Sequence, residues 1–261
     1  MWLRVWALFL RYVYLHKRSV VRTMEIFFWP VMNLLLWGFV SKYLGRLAGP
    51  GAVTYLLGGV VLWDLLYRSQ HAVSLSITEE FWERNIVNLF AAPVRPAEIV
   101  LAACGVGFVR ALVMTVSSAF IVYAAFGFNI LAMGPSLGWF YLSLLVFGWA
   151  VGLFTMGLIF LFGRAAEGLI WGIPFLIQPL TAVFYPVDVL PDWLQAVALC
   201  LPSTYVFEGM RAALVHGSAP LDLLLKAAVG NAVFLALGGV FFAWTLERVR
   251  VKGALARQAM E

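Results

Sequence analysis

Residues 137–162 read LGWFYLSLLVFGWAVGLFTMGLIFLF, an apolar stretch with no charged side chain anywhere in it. Its apolar residues cover every face of a helix, and it exceeds the roughly 20 residues a helix needs to cross a bilayer core. A strand barrel is excluded, because membrane strands alternate apolar with polar residues. Outward from this run lie others of the same kind, at about Met24–Leu44, Val53–Ser74, Ile99–Phe126, Leu169–Phe184 and Leu223–Trp244. The expectation is an all-α integral membrane protein, with six transmembrane helices forming a single domain over residues 1–261. Composition agrees: 63% of the chain is hydrophobic and 12% charged, against about 45–50% and about 25% in a soluble domain.

The net charge of +5 does not point to nucleic acid. Its basic residues gather at the ends of apolar runs, where they act as topology signals. With the N-terminus inside, the inner segments hold Arg4, Arg11, Lys17, Arg18, Arg22, Arg84, Arg95, Arg164, Arg248, Arg250, Lys252 and Arg257. The outer segments hold Lys42, Arg46 and Arg211, while Arg68, Arg110 and Lys226 lie within spans or near their ends. This asymmetry predicts cytoplasmic termini in a bacterial inner membrane. The spread of basic residues through the first 22 positions, with no cleavage pattern after them, does not fit a signal peptide.

Three segments break the apolar pattern. Residues 2–18 place Arg4, Arg11 and Arg18 on one helical stripe and Trp2, Trp6, Phe9 and Val13 on the opposite side, which suits a helix lying at the headgroup boundary, on membrane lipids. Residues 77–92 predict a short amphipathic helix on the cytoplasmic side. Its first turn is acidic, with Glu79, Glu80 and Glu83 offsetting the helix dipole, and Phe81, Trp82, Ile86, Leu89 and Phe90 recur at helical spacing. Such an element can enter a groove on a soluble partner or rest on the membrane surface. Residues 185–221 are semi-polar and too broken to span.

Charges inside the spans are costly and face protein or water. Asp64 and Arg110 are the clearest cases, and a pair between the second and third spans is the expectation. Asp64 reads either as lining a substrate path or as a structural partner. No lysine follows a glycine, so no phosphate-binding loop is present. His16, His71 and His216 show no metal-ligand spacing, and Cys104 and Cys200 give neither a disulfide framework nor a metal site. The chain is expected not to be an enzyme.

The segment ITEEFWERNIVNLFAAPVRPAEIVLA (77–102) resembles the cytoplasmic loop of type-2 ATP-binding-cassette permeases, where a small-Pro-Val turn leads into the third span. FYPVDVLPDWLQAVALCLPSTYVFEGMRAAL (184–214) resembles the same family's stretch before the last span, through Tyr185-Pro186, Leu190-Pro191, Trp193-Leu194, Leu201-Pro202 and Glu208-Gly209-x-Arg211. The N-terminal basic helix, the six-span count and the chain length also match, so the resemblance covers nearly the whole chain. It implies an exporter permease acting as a dimer, with ATP and Mg bound by a separate cytoplasmic ATPase and no cofactor in this chain. It further implies that 77–92, including Arg84, is the coupling helix seated in that ATPase. The 187–211 segment, with Tyr185, Pro186, Pro191, Trp193, Pro202, Glu208 and Arg211, would form short helices re-entering the outer leaflet. The cargo would be a lipid-linked glycan or a small amphipathic molecule. An ion- or proton-coupled carrier is the competing expectation, though carriers show internal repeats and midplane charges, and no repeat is visible here.

Overall fold

In hydrocarbon an unpaired backbone amide or carbonyl costs several kcal/mol, and a helix pairs them all within itself. The computed structural model, which describes residues 1–17, 20–83 and 85–251, is built accordingly. Arg18, Arg84, Lys252 and Arg257 lie outside the described residues, and the side chains of Lys17, Arg22 and Arg164 lie outside the described ones. The helices are α1 (Trp2–Lys17), α2 (Val20–Ala48), α3 (Pro50–Trp82), α4 (Ile86–Ala91), α5 (Pro96–Phe126), α6 (Ser136–Phe162), α7 (Leu169–Ile177), α8 (Asp192–Ala198), α9 (Pro202–His216) and α10 (Leu221–Val251). Short 3-10 turns occupy Ile130–Met133, Gly163–Ala166, Gln178–Thr181 and Val187–Val189, and no strand occurs among the described residues.

Among the described residues, three helices are able by length and composition to cross a membrane: α5, α6 and α10. Helices α2 and α3 have 29 and 33 residues, so at about 1.5 Å per residue both exceed the roughly 30 Å hydrocarbon core, but their sequences are more polar. The expected span Leu169–Phe184 is shorter than its sequence suggests. Helix α7 and the turn after it end at Thr181. Pro174 removes one amide from this helix, Pro179 lies in the first turn of the 3-10 segment, and Ala182 turns left-handed at φ 52° to close it.

Helix α6 is the centre of the molecule. In its most apolar window 72% is buried, against 39% for α5 and 17% for α10. It lies between α3 and α10, and small residues set how close they come. A Cβ on Gly148 would stand 2.8 Å from the Leu66 carbonyl, one on Gly152 3.0 Å from that of Gln70, and one on Gly238 of α10 2.7 Å from that of Ala150. Such small-residue spacing lets backbones approach where lipid offers no hydrophobic drive between helices. Hydrogen bonds then join the same helices: Ser69 Oγ donates to the Leu145 carbonyl at 2.8 Å, Gln70 Nε2 to Thr155 Oγ1 at 3.4 Å, and Asn231 Nδ2 to Ser143 Oγ at 2.7 Å. Two apolar clusters fill the interior. One, at the α1 end, contains Tyr12, Ile77, Ile86 and Phe160; the other contains Leu57, Phe140, Phe147 and Phe207.

This packing predicts that Gly148→Val destabilises the fold by about 1–3 kcal/mol, the usual cost of overpacking. Gly138→Val, on the same helix with nothing within 4 Å of its added carbon, leaves it unchanged. The thermal midpoint of the detergent-purified protein checks this, and equal midpoints for the two variants contradict it.

Candidate functional site

One end of the molecule is organised by α1. Val5, Leu8, Phe9 and Tyr12, spaced i, i+3, i+4 and i+7, turn inward onto the α1-end cluster, while Trp2, Leu3, Trp6 and Tyr14 are exposed. Phe9 therefore sits on the protein side, a correction to its expected place on the lipid side. Two residues of the basic stripe, Arg4 and Arg11, are partly exposed and each is paired with a buried carboxylate. Arg11 Nε and Nη2 donate to the two carboxylate oxygens of Glu80 at 2.8 and 2.9 Å. Arg4 forms an ion pair with Glu98 at 3.6 Å and donates to the Pro93 carbonyl. The hydrogen bond from Arg11 to Glu80 is the largest influence raising the arginine pKa above its ordinary value. Burial, first among its causes, raises that of the Tyr12 phenol.

The helix expected over 77–92 is two helices, which corrects its boundaries and the place of its acids. Ile77–Trp82 are the last turns of α3, and α4 is confined to Ile86–Ala91. Glu79 and Glu80 lie at the C-terminal end of α3, where the helix dipole disfavours a carboxylate, and both are buried. Glu80 is tolerated there because Arg11 and Asn85, whose Nδ2 donates at 2.6 Å, both bind it. Among the residues expected to meet a partner, Glu79, Glu80, Phe81, Ile86 and Leu89 face inward, Phe90 is half-buried and Glu83 is exposed. The outer ridge of this corner consists of Trp82, Glu83, Asn88 and the Ala91–Pro93 turn. Beneath it, Phe160 of α6 gathers three rings, from Phe81 at 6.1 Å, Phe90 at 6.0 Å and Phe242 at 5.9 Å. The Arg250 guanidinium of α10 covers Phe90 at 5.0 Å.

Within α3, Asp64 pairs with Arg68 one turn away at 3.3 Å. The expected partnership with Arg110 on α5 is thus corrected: a cation four residues along the same helix reaches the carboxylate without spanning two helices. Around this pair the structure assembles an aromatic face that sequence reasoning missed as a group. Tyr67 stacks on His71 at 5.6 Å and meets Phe175 at 6.2 Å, and His71 meets Trp171 at 6.0 Å. Trp171 and Phe175 are exposed. The signal was present in three i, i+4 spacings, 64/68, 67/71 and 171/175.

At the other end, Glu208 and Arg211 on α9 hold the broken segment that precedes it. Glu208 accepts the Val187 amide at 2.8 Å and pairs with Arg211 at 2.7 Å, while Arg211 Nη1 donates to the carbonyl of left-handed Ala182 at 2.9 Å. Tyr185 donates its hydroxyl to the Pro179 carbonyl. Pro202 begins α9 and Pro191 precedes α8. Pro186 precedes the Val187–Val189 turn. Trp193 is exposed and stands apart from this network.

The Arg11–Glu80 contact predicts an asymmetric double-mutant cycle. Arg11→Ala leaves a buried carboxylate with one partner fewer and costs about 1–3 kcal/mol, whereas adding Glu80→Gln recovers part of that loss. Thermal midpoints of the two single variants and the double variant measure the coupling, and strict additivity contradicts it.

The family model for ABC-2 type transporters matches residues 4–215, from α1 into the last turn of α9. No curated protein matches the chain. The match takes in the Arg11–Glu80 corner, the Asp64–Arg68 pair and the Glu208–Arg211 network together, and it covers well over half of the sequence. This chain belongs to the ABC-2 type transporter family.

Proposed function

We propose that the protein is the permease subunit of an ATP-driven exporter, moving a lipid-linked glycan or a small amphipathic molecule out across a bacterial inner membrane. It works with a separate cytoplasmic ATPase that binds ATP and Mg, and two permease copies form the membrane unit. Membership of the ABC-2 family supports this reading. The charge asymmetry supports six spans with cytoplasmic termini, α7 entering only part of the bilayer as a bare helix and α8 with the Val187–Val189 turn re-entering from the outer side. Non-helical backbone at that depth is tolerated where protein covers it, and the Glu208–Arg211 network gives such cover.

The observation that carries the proposal is the cytoplasmic corner. Glu80 is spent on Arg11 and Asn85, so it is the ridge of Trp82, Glu83, Asn88 and Pro93 that meets the ATPase, with α4 as the coupling element. A push on this ridge bears directly on α6 and α10 through Phe90 and Phe160. The cargo path follows Asp64, Arg68, Tyr67, His71, Trp171 and Phe175, a face that offers both charge and flat rings to an amphipathic solute.

Isolation of the chain from its native membranes is the test. A nucleotide-hydrolysing subunit is expected to accompany it, and Asn88→Cys on the exposed ridge is expected to cross-link to that subunit with a short bifunctional reagent. A cysteine at buried Ile86 serves as the comparison. Transport by the chain alone, with no hydrolysing companion and no cross-link from position 88, overturns the reading.

A further inference from the structure

A cleft of about 490 Å³ opens between the ends of α2 and α5 and the start of α3, away from the corner and the aromatic face described above. This is within the size range of ligand sites, about 300–1,000 Å³. Its lining includes Lys42, Thr54, Phe126, Gly127 and Asn129, and no carboxylate. One wall is held in place by α2. A Cβ on Gly38 would fall 2.0 Å from the Phe126 ring, so only glycine lets that ring lie on the helix. Phe39 meets the same ring edge-on at 5.8 Å, and the Lys42 ammonium stands 5.2 Å from its centre.

The polar groups of the cleft are mainly donors. The Lys42 ammonium has three N–H bonds and no acceptor. Asn129 uses Oδ1 to accept the Leu131 amide at 3.0 Å, which leaves its amide N–H groups as the polar function it can give a ligand. A single positive charge beside an amide donor, with no anion among the lining groups, selects an anion with several acceptor oxygens. Beside the cleft, the apolar side chains of Phe39 and Leu131 are exposed.

We infer that this cleft binds a phosphate group, with Lys42 and Asn129 as its ligands. The adjoining apolar surface favours the phosphodiester of an anionic lipid headgroup, whose acyl chains would lie along Phe39. The site lies in a different part of the molecule from the proposed cargo path and does not depend on that reading.

The test follows acetylation of Lys42 by a water-soluble amine reagent, read by peptide mass spectrometry, with the exposed Lys226 as internal control. The full-length protein is placed in phosphate-free alkyl maltoside micelles alone, in the same micelles with phosphatidylglycerol, and in the same micelles with inorganic phosphate in the buffer. Occupancy is expected to slow Lys42 labelling about tenfold relative to Lys226, the scale of one charge-assisted hydrogen bond. Protection by phosphatidylglycerol alone assigns the lipid as the source, and protection by inorganic phosphate assigns a soluble anion; both uphold the site. Asn129→Asp keeps the acceptor for Leu131 but replaces the donor with a negative charge, and it is expected to abolish protection. Unchanged Lys42 labelling in all three preparations, or full protection in Asn129→Asp, overturns the inference.

Discussion

The Glu80 carboxylate has no exposed surface and lies in the last turn of α3, where the carbonyl ends of the helix already make the potential negative. A desolvated charge in such a place costs several kcal/mol unless it is paired and hydrogen-bonded. Arg11 supplies the pairing from α1, and Asn85 supplies a further bond from just beyond the end of α3. The rest of this end of the molecule follows from these two contacts. Helix α1 is held against α3 and α5, and its inward stripe becomes Val5, Leu8, Phe9 and Tyr12. The chain leaves α3 at Glu83 and turns, so that α4 is left with six residues laid over Phe160.

Phe160 extends that constraint into the body of the protein. Its contacts come from α3, α4 and α10, and Arg250 of α10 also lies over Phe90. The rings therefore form one contiguous contact running from the short helix to the last helix of the described chain. The glycine contacts of α6 with α3 and α10 continue it as direct backbone approach. Packed interiors transmit displacement because they have few voids to absorb it. A helix as short as α4 has little stability of its own, so its position is dictated by the surface beneath it.

The long helices were legible because hydrocarbon leaves the backbone one solution, and apolar runs such as 137–162 report it directly. The end of α3 was not legible. Nothing between Ile77 and Trp82 breaks a helix, and three acids within five residues look like a solvent-exposed first turn. They close α3 instead because Glu80 has a partner 69 residues away, a contact no local spacing reveals. The fifth apolar run forms a shorter helix than its length suggests. Its composition is that of a span, but Pro174, Pro179 and left-handed Ala182 stop the helix at Thr181. Asp64 was a different case: its partner Arg68 stood one turn away, within reach of helical spacing, yet the expected partner was Arg110 on another helix. Tyr185, Glu208 and Arg211 were recognisable as a pattern, but the bonds to Val187 and Ala182 that give the pattern its purpose depend on a left-handed turn.

The two kinds of charge pairing differ in what they fix. Arg11–Glu80 and Arg4–Glu98 join separate helices, and Glu208 with Arg211 joins α9 to the broken chain before it. The contacts of α1 resist rearrangement, since moving that helix away would leave the buried carboxylates of Glu80 and Glu98 without their cations. Asp64 is neutralised inside its own helix. Its ion pair travels with α3 and does not tie that helix to a neighbour, so α3 can shift against α7 without separating Asp64 from its cation. The aromatic contacts beside it, Tyr67 with Phe175 and His71 with Trp171, are non-covalent ring contacts at 6.2 and 6.0 Å, and each is worth about 0.5–1.5 kcal/mol. That is small beside the cost of stripping a buried carboxylate of its partner. Besides these rings, α3 is joined to α7 by a long hydrogen bond from Gln70 Nε2 to the Ile170 carbonyl at 3.4 Å, so this face is held by ring contacts and a neutral hydrogen bond, whereas α1 is held by an ion pair to a buried carboxylate.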